Sequence, residues 1–150
     1  MIITPHVLAG AALGTQISNP VLLAVYATIS HHVLDMVPHW DYDILSSKKT
    51  GARKIAFDIA LSGIVTFALI WNLPFQTQAH ALWGGFWGIL PDGFLALYLF
   101  SDKKYFPRYA QLHNFFHRLI IPKGHAPHFA IGLGTQIIAV LAALNVFISL

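Results

Sequence analysis

Residues 20–37, PVLLAVYATISHHVLDMV, decide the fold, because this segment joins an apolar helix to many of the chain's scarce ionisable side chains. Pro38 follows directly and ends the helix. Half of the six acidic residues of the chain lie between positions 35 and 43. The ionisable residues of the segment and the loop after it are His31, His32, Asp35, His39, Asp41 and Asp43. The pattern predicts a helix with a polar site at its C-terminal end.

The whole chain is too apolar for a soluble domain of its size. Of its 150 residues, 56% are hydrophobic and 10% are charged, whereas soluble domains carry about 25% charged residues. The mean hydropathy is +0.62. The length fits a single domain, residues 1–150. We therefore expect an all-α integral membrane protein built as a helical bundle.

Apolar runs separated by turn signals predict about five hydrophobic helices and one amphipathic helix on the cytoplasmic side. The hydrophobic runs are 5–17, 20–37, 54–73, 80–100 and 128–150, and the amphipathic run is 107–121. The first run is shorter than the about 20 residues that span a bilayer, which predicts a re-entrant or partly inserted helix. Residues 90–93, LPDG, are expected to interrupt the fourth helix and open it locally.

All nine Lys and Arg residues lie at one end of these helices. They are Lys48, Lys49, Arg53, Lys54, Lys103, Lys104, Arg108, Arg118 and Lys123. The positive-inside rule makes that end cytoplasmic, in the cell (inner) membrane. Basic residues distributed in this way indicate membrane orientation rather than a nucleic-acid partner.

The same end gathers eight of the nine histidines and all six aspartates. His31 and Asp35 share one helical face, with Cβ atoms about 5–6 Å apart, and the proline after this helix lets His39 fold back toward them. His113 and His117 form a second pair with the same spacing. Because the chain has no cysteine, a metal site must use histidine and aspartate. The predicted metal ligands are His6, His31, Asp35, His39, Asp92, His113 and His117.

Asp92 needs a partner, because an uncompensated aspartate well inside a spanning helix costs about 2.5–3.5 kcal/mol on insertion scales. A metal ion and a protonated histidine are the two alternatives. Asp92 or Asp35 can bridge two ions or accept the proton of the nucleophile, and Arg118 is placed to bind a phosphate oxygen. These three are the predicted catalytic residues.

The remaining polar residues have structural interpretations. Asp58 either binds a metal or forms a contact within the bundle, with Lys54 as one partner. His32 and Asp41 are expected to support the ligands, and Asp43 is expected to be solvated. The histidines expected at membrane interfaces are His80, His125 and His128.

Four short motifs occur in an order that resembles a known family. They are His6-x-x-x-Gly10, His31-x-x-x-Asp35-x-x-Pro38-His39, Gly88-x-x-Pro91-Asp92 and His117-Arg118. In this order, and over most of the chain, they resemble the YdjM-like family of membrane-bound metal-dependent hydrolases. The second motif is also loosely similar to that of zinc-dependent phospholipases C and P1-type nucleases, although here the gap to the last His is shorter and the chain has no Glu. The resemblance implies a hydrolase and names no substrate.

The residues predict metal-assisted hydrolysis at the cytoplasmic membrane surface, with a phosphoester of a membrane lipid as substrate. Mixed imidazole and carboxylate ligands suit one or more Zn²⁺ ions, with Mn²⁺ or Fe as alternatives. A metal or proton transporter is the rival function, since intramembrane Asp and His also build ion relays, but polar groups crowded at one end argue against it. A non-catalytic metal-binding or structural membrane protein is a third interpretation; its structural form predicts direct His–Asp hydrogen bonds and no metal.

Overall fold

The fold comes from a computed structural model that describes residues 1–41, 47–120 and 128–150. In these ranges the chain forms six α-helices and no strand. The helices are α1 (Ile3–Gln16), α2 (Pro20–Met36), α3 (Lys48–Ile70), α4 (Phe75–Phe100), α5 (Pro107–His117) and α6 (Phe129–Ile148). The predicted all-α class is confirmed.

Helix α1 is the centre of the bundle. It packs most extensively against α4 and also contacts α2, α3 and α6, and nine of its 14 residues are buried. At 1.5 Å per residue its length is about 21 Å, which is less than a bilayer core. The first apolar run is therefore short and is enclosed by four other helices.

Glycines let α1 and α4 approach at backbone distance. A Cβ atom on Gly84 would overlap the carbonyl oxygen of Gly10, and one on Gly88 would lie 2.5 Å from the carbonyl oxygen of His6. Small residues permit such close helix packing. The contact holds His6 beside Gly88, one helical turn before Asp92.

Helix α3 has a polar inner face and an apolar outer face. Its buried residues include Asp58, Ser62 and Thr66, which recur at every fourth position. The large hydrophobic residues exposed on its other side include Phe57, Ile64 and Phe67. This arrangement is the reverse of a helix in a soluble bundle, where the apolar stripe faces the core.

The bounds of three helices differ by more than two residues from the sequence prediction. Helix α4 begins at Phe75 rather than at residue 80. Helix α3 begins at Lys48 rather than at residue 54, because Ser47 Oγ accepts a hydrogen bond from the backbone N–H of Thr50 at 3.3 Å and caps the earlier turn. Helix α5 ends at His117. The expected end of α5, residue 121, lies outside the described residues.

Helix α4 is continuous from Phe75 to Phe100, so the expected opening at residues 90–93 is wrong. Proline removes one backbone hydrogen bond from a helix interior. Pro91 is buried, and the packing of this part of α4 inside the bundle holds the helix together despite that loss. Asp92 therefore projects from a regular helix.

The two basic regions lie at the same end of the bundle. Lys48, at the start of α3, donates a hydrogen bond to the carboxylate of Asp102, just after α4. This end also carries the C-terminal end of α2 and the short helix α5, which packs on α2 and α4. The end with the basic loops is thus also the end where α2 places its two histidines and its aspartate.

Among the described helices, α6 alone is long and apolar enough to cross a membrane by itself. Its mean hydropathy is 2.1, and 22% of that segment is buried inside the protein. The sequence predicted about five hydrophobic helices in a membrane, and length and hydropathy together give one such span within the described ranges.

Candidate metal centre

Asp35 lies at the centre of a cluster of histidines and is fully buried. Its Oδ1 atom is 3.2 Å from His6 Nε2 and 3.9 Å from His39 Nε2. Its Oδ2 atom is 2.9 Å from His31 Nε2 and 3.2 Å from His117 Nε2. Side chains from α1, α2, α5 and the loop after α2 thus converge on one carboxylate.

His113 and Asp92 complete the cluster. His113 Nε2 lies 3.5 Å from Asp35 Oδ2 and 3.6 Å from Asp92 Oδ1. It also lies 2.9 Å from His117 Nε2, and Asp92 Oδ1 is 3.7 Å from His31 Nε2. The structure therefore brings together all the side chains that the sequence analysis named as metal ligands.

Two backbone carbonyls fix how the histidines of α2 and its loop present their nitrogens. His31 Nδ1 donates to the carbonyl oxygen of Gly88 at 2.8 Å, and His39 Nδ1 donates to that of Val37 at 2.7 Å. A carbonyl oxygen only accepts, so each Nδ1 carries the proton. Nε2 of the neutral ring is then left as the ligand atom, as is usual for histidines that bind metals.

Burial keeps two of the histidines neutral. It lowers the pKa of His113 to about 3. It also lowers the pKa of His39 to about 4, and the Met1 amine nearby adds to that effect. At neutral pH both imidazoles therefore have a free lone pair, which metal binding requires.

The cluster has the polar atoms and the spacing that a metal ion requires. Within the described ranges, Nε2 of His6, Nε2 of His31 and Oδ2 of Asp35 are buried, and their short His–Asp contacts lack the geometry of hydrogen bonds. Two ligands at about 2.0–2.1 Å from a tetrahedral Zn²⁺ are roughly 3.3 Å apart. The contacts of Asp35 with the histidine nitrogens, from 2.9 to 3.9 Å, bracket that value. These buried groups could hold a metal ion, which would satisfy atoms that are otherwise costly to bury.

The α-amino group of Met1 lies beside the cluster. It is 3.0 Å from Asp35 Oδ1 and 3.6 Å from Asp41 Oδ2. Burial by itself lowers the pKa of this amine, but the carboxylates of Asp41, Asp35 and Asp92 outweigh burial and raise it. The field of the carboxylates thus favours positive charge at this face of Asp35.

Asp58 lies away from the cluster and caps α1. Its carboxylate accepts hydrogen bonds from the backbone N–H of Ile3, at 2.6 Å, and from the hydroxyl of Thr4. The first N–H groups of a helix have no partner within the helix, so this contact satisfies one of them. Of the two roles considered for Asp58, the structure gives the contact within the bundle, and that contact anchors the turn leading to His6.

Two supporting residues lie at the edge of the cluster. His32 stacks on Phe116 with ring centroids 4.5 Å apart, and one of its nitrogens is close enough to those of His31 and His113 to share an ion with them. Asp41 has a half-exposed side chain, 4.0 Å from His39 Nε2.

The other named residues are placed as follows. Arg118 is exposed and caps the C-terminal end of α5, directly after His117. His80 lies on α4 beside Gly14, at the opposite end of α1, and His128 is exposed before α6. The predictions for Asp43 and His125 fall outside the described residues.

Helix α6 holds the loop that carries His39, a role that no sequence pattern indicated. Thr135 Oγ1 donates to the carbonyl oxygen before His39 at 2.5 Å, and Gln136 Nε2 donates to that of Trp40 at 2.9 Å. A Cβ atom on Gly132 would lie 2.6 Å from the Trp40 nitrogen. The available signal was a glutamine inside an otherwise apolar helix, because a polar residue there needs a partner.

No family model, curated protein or solved structure matches this chain. The resemblance to the YdjM-like family therefore rests on the order of the motifs.

Proposed function

We propose that this protein is a membrane-embedded, metal-dependent hydrolase that cleaves a phosphoester of a membrane lipid at the cytoplasmic surface. The observation that carries the proposal is the set of imidazole nitrogens and carboxylate oxygens around Asp35, spaced for metal binding. Zn²⁺ suits such mixed ligands, and Mn²⁺ and Fe are alternatives. The order of the motifs, which resembles that of the YdjM-like hydrolases, supports the same class of reaction.

The distribution of apolar surface supports a position within the membrane. Helix α3 turns Ser62 and Thr66 inward and Ile64 and Phe67 outward, and α6 has the hydropathy of a span. Soluble monomers rarely expose contiguous apolar patches larger than a few hundred Å², whereas lipid tails cover such surface without cost. The basic end would then face the cytoplasm.

An apolar cleft supports a lipid as the substrate. The cleft has a volume of about 640 Å³, lies between α2 and α4, and is lined by residues that include Ala24, Ile29 and Trp87. Its lining ends next to the cluster, because the residue after Trp87 is Gly88, whose carbonyl oxygen accepts from His31. An acyl chain lying in this cleft would bring its headgroup to the ligands.

The residues divide the proposed chemistry among them. A bound metal ion lowers the pKa of water to about 7 and polarises phosphoryl oxygens. Asp92 has a side chain that is 20% exposed, so its carboxylate can take a proton from a water that attacks phosphorus. Asp35, which is fully buried, orients the histidines. Arg118 supplies a guanidinium for the oxygens of the phosphate.

The packing beyond the cluster argues against the rival function, a metal or proton transporter. An ion relay requires polar groups along the whole path. Away from the cluster the bundle is filled by a contiguous set of buried apolar residues: Leu8, Ala11, Ala12, Ile70, Ala81, Ala143 and Phe147. The polar inner face of α3 runs from Asp58 to Thr66 and is followed one turn later by Ile70 of this core. Such a core interrupts a path for ions, and it does not affect a site that opens at one end.

Elemental analysis of the detergent-purified protein tests the metal. We expect stoichiometric zinc or manganese in the wild type and its loss in Asp35→Ala, because Asp35 contacts ligands from every part of the cluster. Asp102→Ala is the matched control, since it removes an exposed aspartate that pairs with Lys48, and it should keep the metal. Folded wild-type protein without metal after reconstitution would refute the proposal.

Hydrolysis of a panel of phospholipids tests the substrate. We expect turnover by the wild type and a loss of at least tenfold toward long-chain lipids in Ala24→Trp, whose indole would fill the cleft. Hydrolysis of a water-soluble phosphodiester by the same variant should be unchanged. Ion uptake into proteoliposomes without turnover of any phosphoester would instead support the transporter.

A further inference from the structure

The cluster contains more ligands than one ion uses. Its members are His6, His31, His32, Asp35, His39, Asp92, His113 and His117. A zinc ion takes four ligands, and a catalytic zinc takes three of them from the protein. The cluster therefore has enough ligands for more than one ion.

Two groups of three ligands share no residue. The first group is His6, His31 and Asp92, and the second is Asp35, His39 and His117. Within each group the ligand atoms lie within 4.8 Å of one another. A third group takes His31 from the first and Asp35 from the second, together with His32 and His113. It cannot be filled independently of the other two, so among the residues that the structure describes the geometry offers two positions that share no ligand.

Asp35 lies between the two groups. Its Oδ1 atom is 3.2 Å from His6 Nε2 of the first group and 3.9 Å from His39 Nε2 of the second. Its Oδ2 atom is 2.9 Å from His31 Nε2 of the first group and 3.2 Å from His117 Nε2 of the second, so each oxygen lies near ligands of both groups. A carboxylate that presents its two oxygens in this way is suited to bridge two ions. In two-metal sites the ions are about 3.5–4 Å apart.

The partly exposed ligands are divided between the groups. Asp92 has a side chain that is 20% exposed and belongs to the first group, whereas His117, at 21%, belongs to the second. Each proposed ion position therefore has one ligand that is partly exposed to solvent. A phosphoester at that opening could contact both positions, which is the arrangement that favours in-line displacement at phosphorus.

We propose that the cluster is a two-ion centre, with one ion held by His6, His31 and Asp92 and the other by Asp35, His39 and His117. Asp35 also bridges the two, and His113 lies close enough to both groups to complete either. This inference rests on the proposed metal-dependent function and adds to it the number of ions and the division of the ligands.

Metal counting on the zinc-reconstituted full-length chain tests the division. By plasma mass spectrometry we expect two zinc ions per chain in the wild type, one in Asp92→Asn and one in His117→Gln. The matched controls are His80→Gln and Asp102→Asn, which alter a histidine and an aspartate outside the cluster and should keep two. Circular dichroism of each variant establishes that it is folded.

Electron paramagnetic resonance of the Mn²⁺-loaded wild-type protein tests the two-ion centre without relying on activity. Two bridged ions give an exchange-coupled spectrum, and either single-ion variant should give an uncoupled one. One or three ions in the wild type, an uncoupled wild-type spectrum, or a folded variant that keeps both ions would overturn the two-ion division and leave a metal-dependent hydrolase standing. A wild type that binds no metal would overturn both proposals.

Discussion

Asp35 and Asp58 are both buried aspartates, yet their partners differ. Asp35 faces imidazole nitrogens from three helices and a loop, whereas Asp58 accepts from the backbone N–H of Ile3 and the hydroxyl of Thr4 at the start of α1. From the sequence, Asp35 could be recognised because His31 and His39 stand four positions on either side of it. Asp58 could not, because its partner lies far away in the chain and is a backbone group, which leaves no trace in residue spacing.

Removing the cap should weaken the fold. Asp58→Ala leaves the buried N–H of Ile3 without a partner, which costs about 1–3 kcal/mol. Asp58→Asn should cost less, because an amide oxygen can still accept from Ile3. Chemical unfolding in detergent, followed by circular dichroism, measures the difference. With Asp102→Ala as the exposed control, equal stability of the two alanine variants would contradict the assigned cap.

At the scale of helices, the contacts within an element were predictable and those between elements were not. The spacing of four in α2 and in α5 predicts which side chains share a face, and the cluster contains both pairs. The passage of α4 through Pro91 without opening depends on packing around it, which a proline signal in the sequence does not contain. The same holds for the position of α1, whose short apolar run is compatible with a partly inserted helix until its four neighbours are known.

The α1–α4 contact should tolerate no added side chain. Gly84→Ala places a Cβ against the carbonyl oxygen of Gly10, and overpacking of this kind costs typically about 1–3 kcal/mol or more. Gly63→Ala is the matched control in α3, because no atom lies within 4 Å of the added Cβ. Thermal unfolding in detergent should show a large loss for the first and little change for the second. Equal melting temperatures would show that the two helices can separate without cost.

The clamp of α6 on the loop should control metal occupancy. Gly132→Ala pushes the added Cβ against the Trp40 nitrogen, 2.6 Å away, and should displace His39, lowering the zinc content of the purified protein. Gly134→Ala has open space around the new atom and should retain full zinc. The comparison is made by elemental analysis of samples with equal helix content. An unchanged zinc content in Gly132→Ala would show that the contact of α6 with the loop does not control metal binding.

The molecule exposes many large apolar side chains along its helices and buries most of the histidines and aspartates of the cluster at one end. This pattern, together with the nine basic residues at one end, supports an embedded bundle whose site opens to the cytoplasm. Composition predicted a membrane protein, because 10% charged residues is low for a soluble domain, and within the described ranges one helix has the length and hydropathy of a span. The depth and tilt of each helix depend on lipid contacts and cannot be read from composition.

The orientation can be measured directly because the chain has no native cysteine. Lys49→Cys and Gln76→Cys place single thiols at exposed positions at opposite ends of α3 and α4. We expect a membrane-impermeant maleimide to label Gln76→Cys in intact cells and Lys49→Cys only after lysis. Labelling of Lys49→Cys in intact cells would reverse the assigned orientation.

The central position of α1 has a consequence for the order of assembly. Its glycine contact is made with α4, which is synthesised only after α2 and α3, and its outer side is closed by α6. A chain with long-range contacts of this kind closes its loops late. Until α4 arrives, the glycines of α1 lack their native partner and His6 can meet only the ligands of α2. Asp92 on α4 and the two histidines of α5 come later in the chain, so the ligand cluster is among the last parts of the molecule to be completed. Metal loading should accordingly follow completion of the bundle rather than guide it.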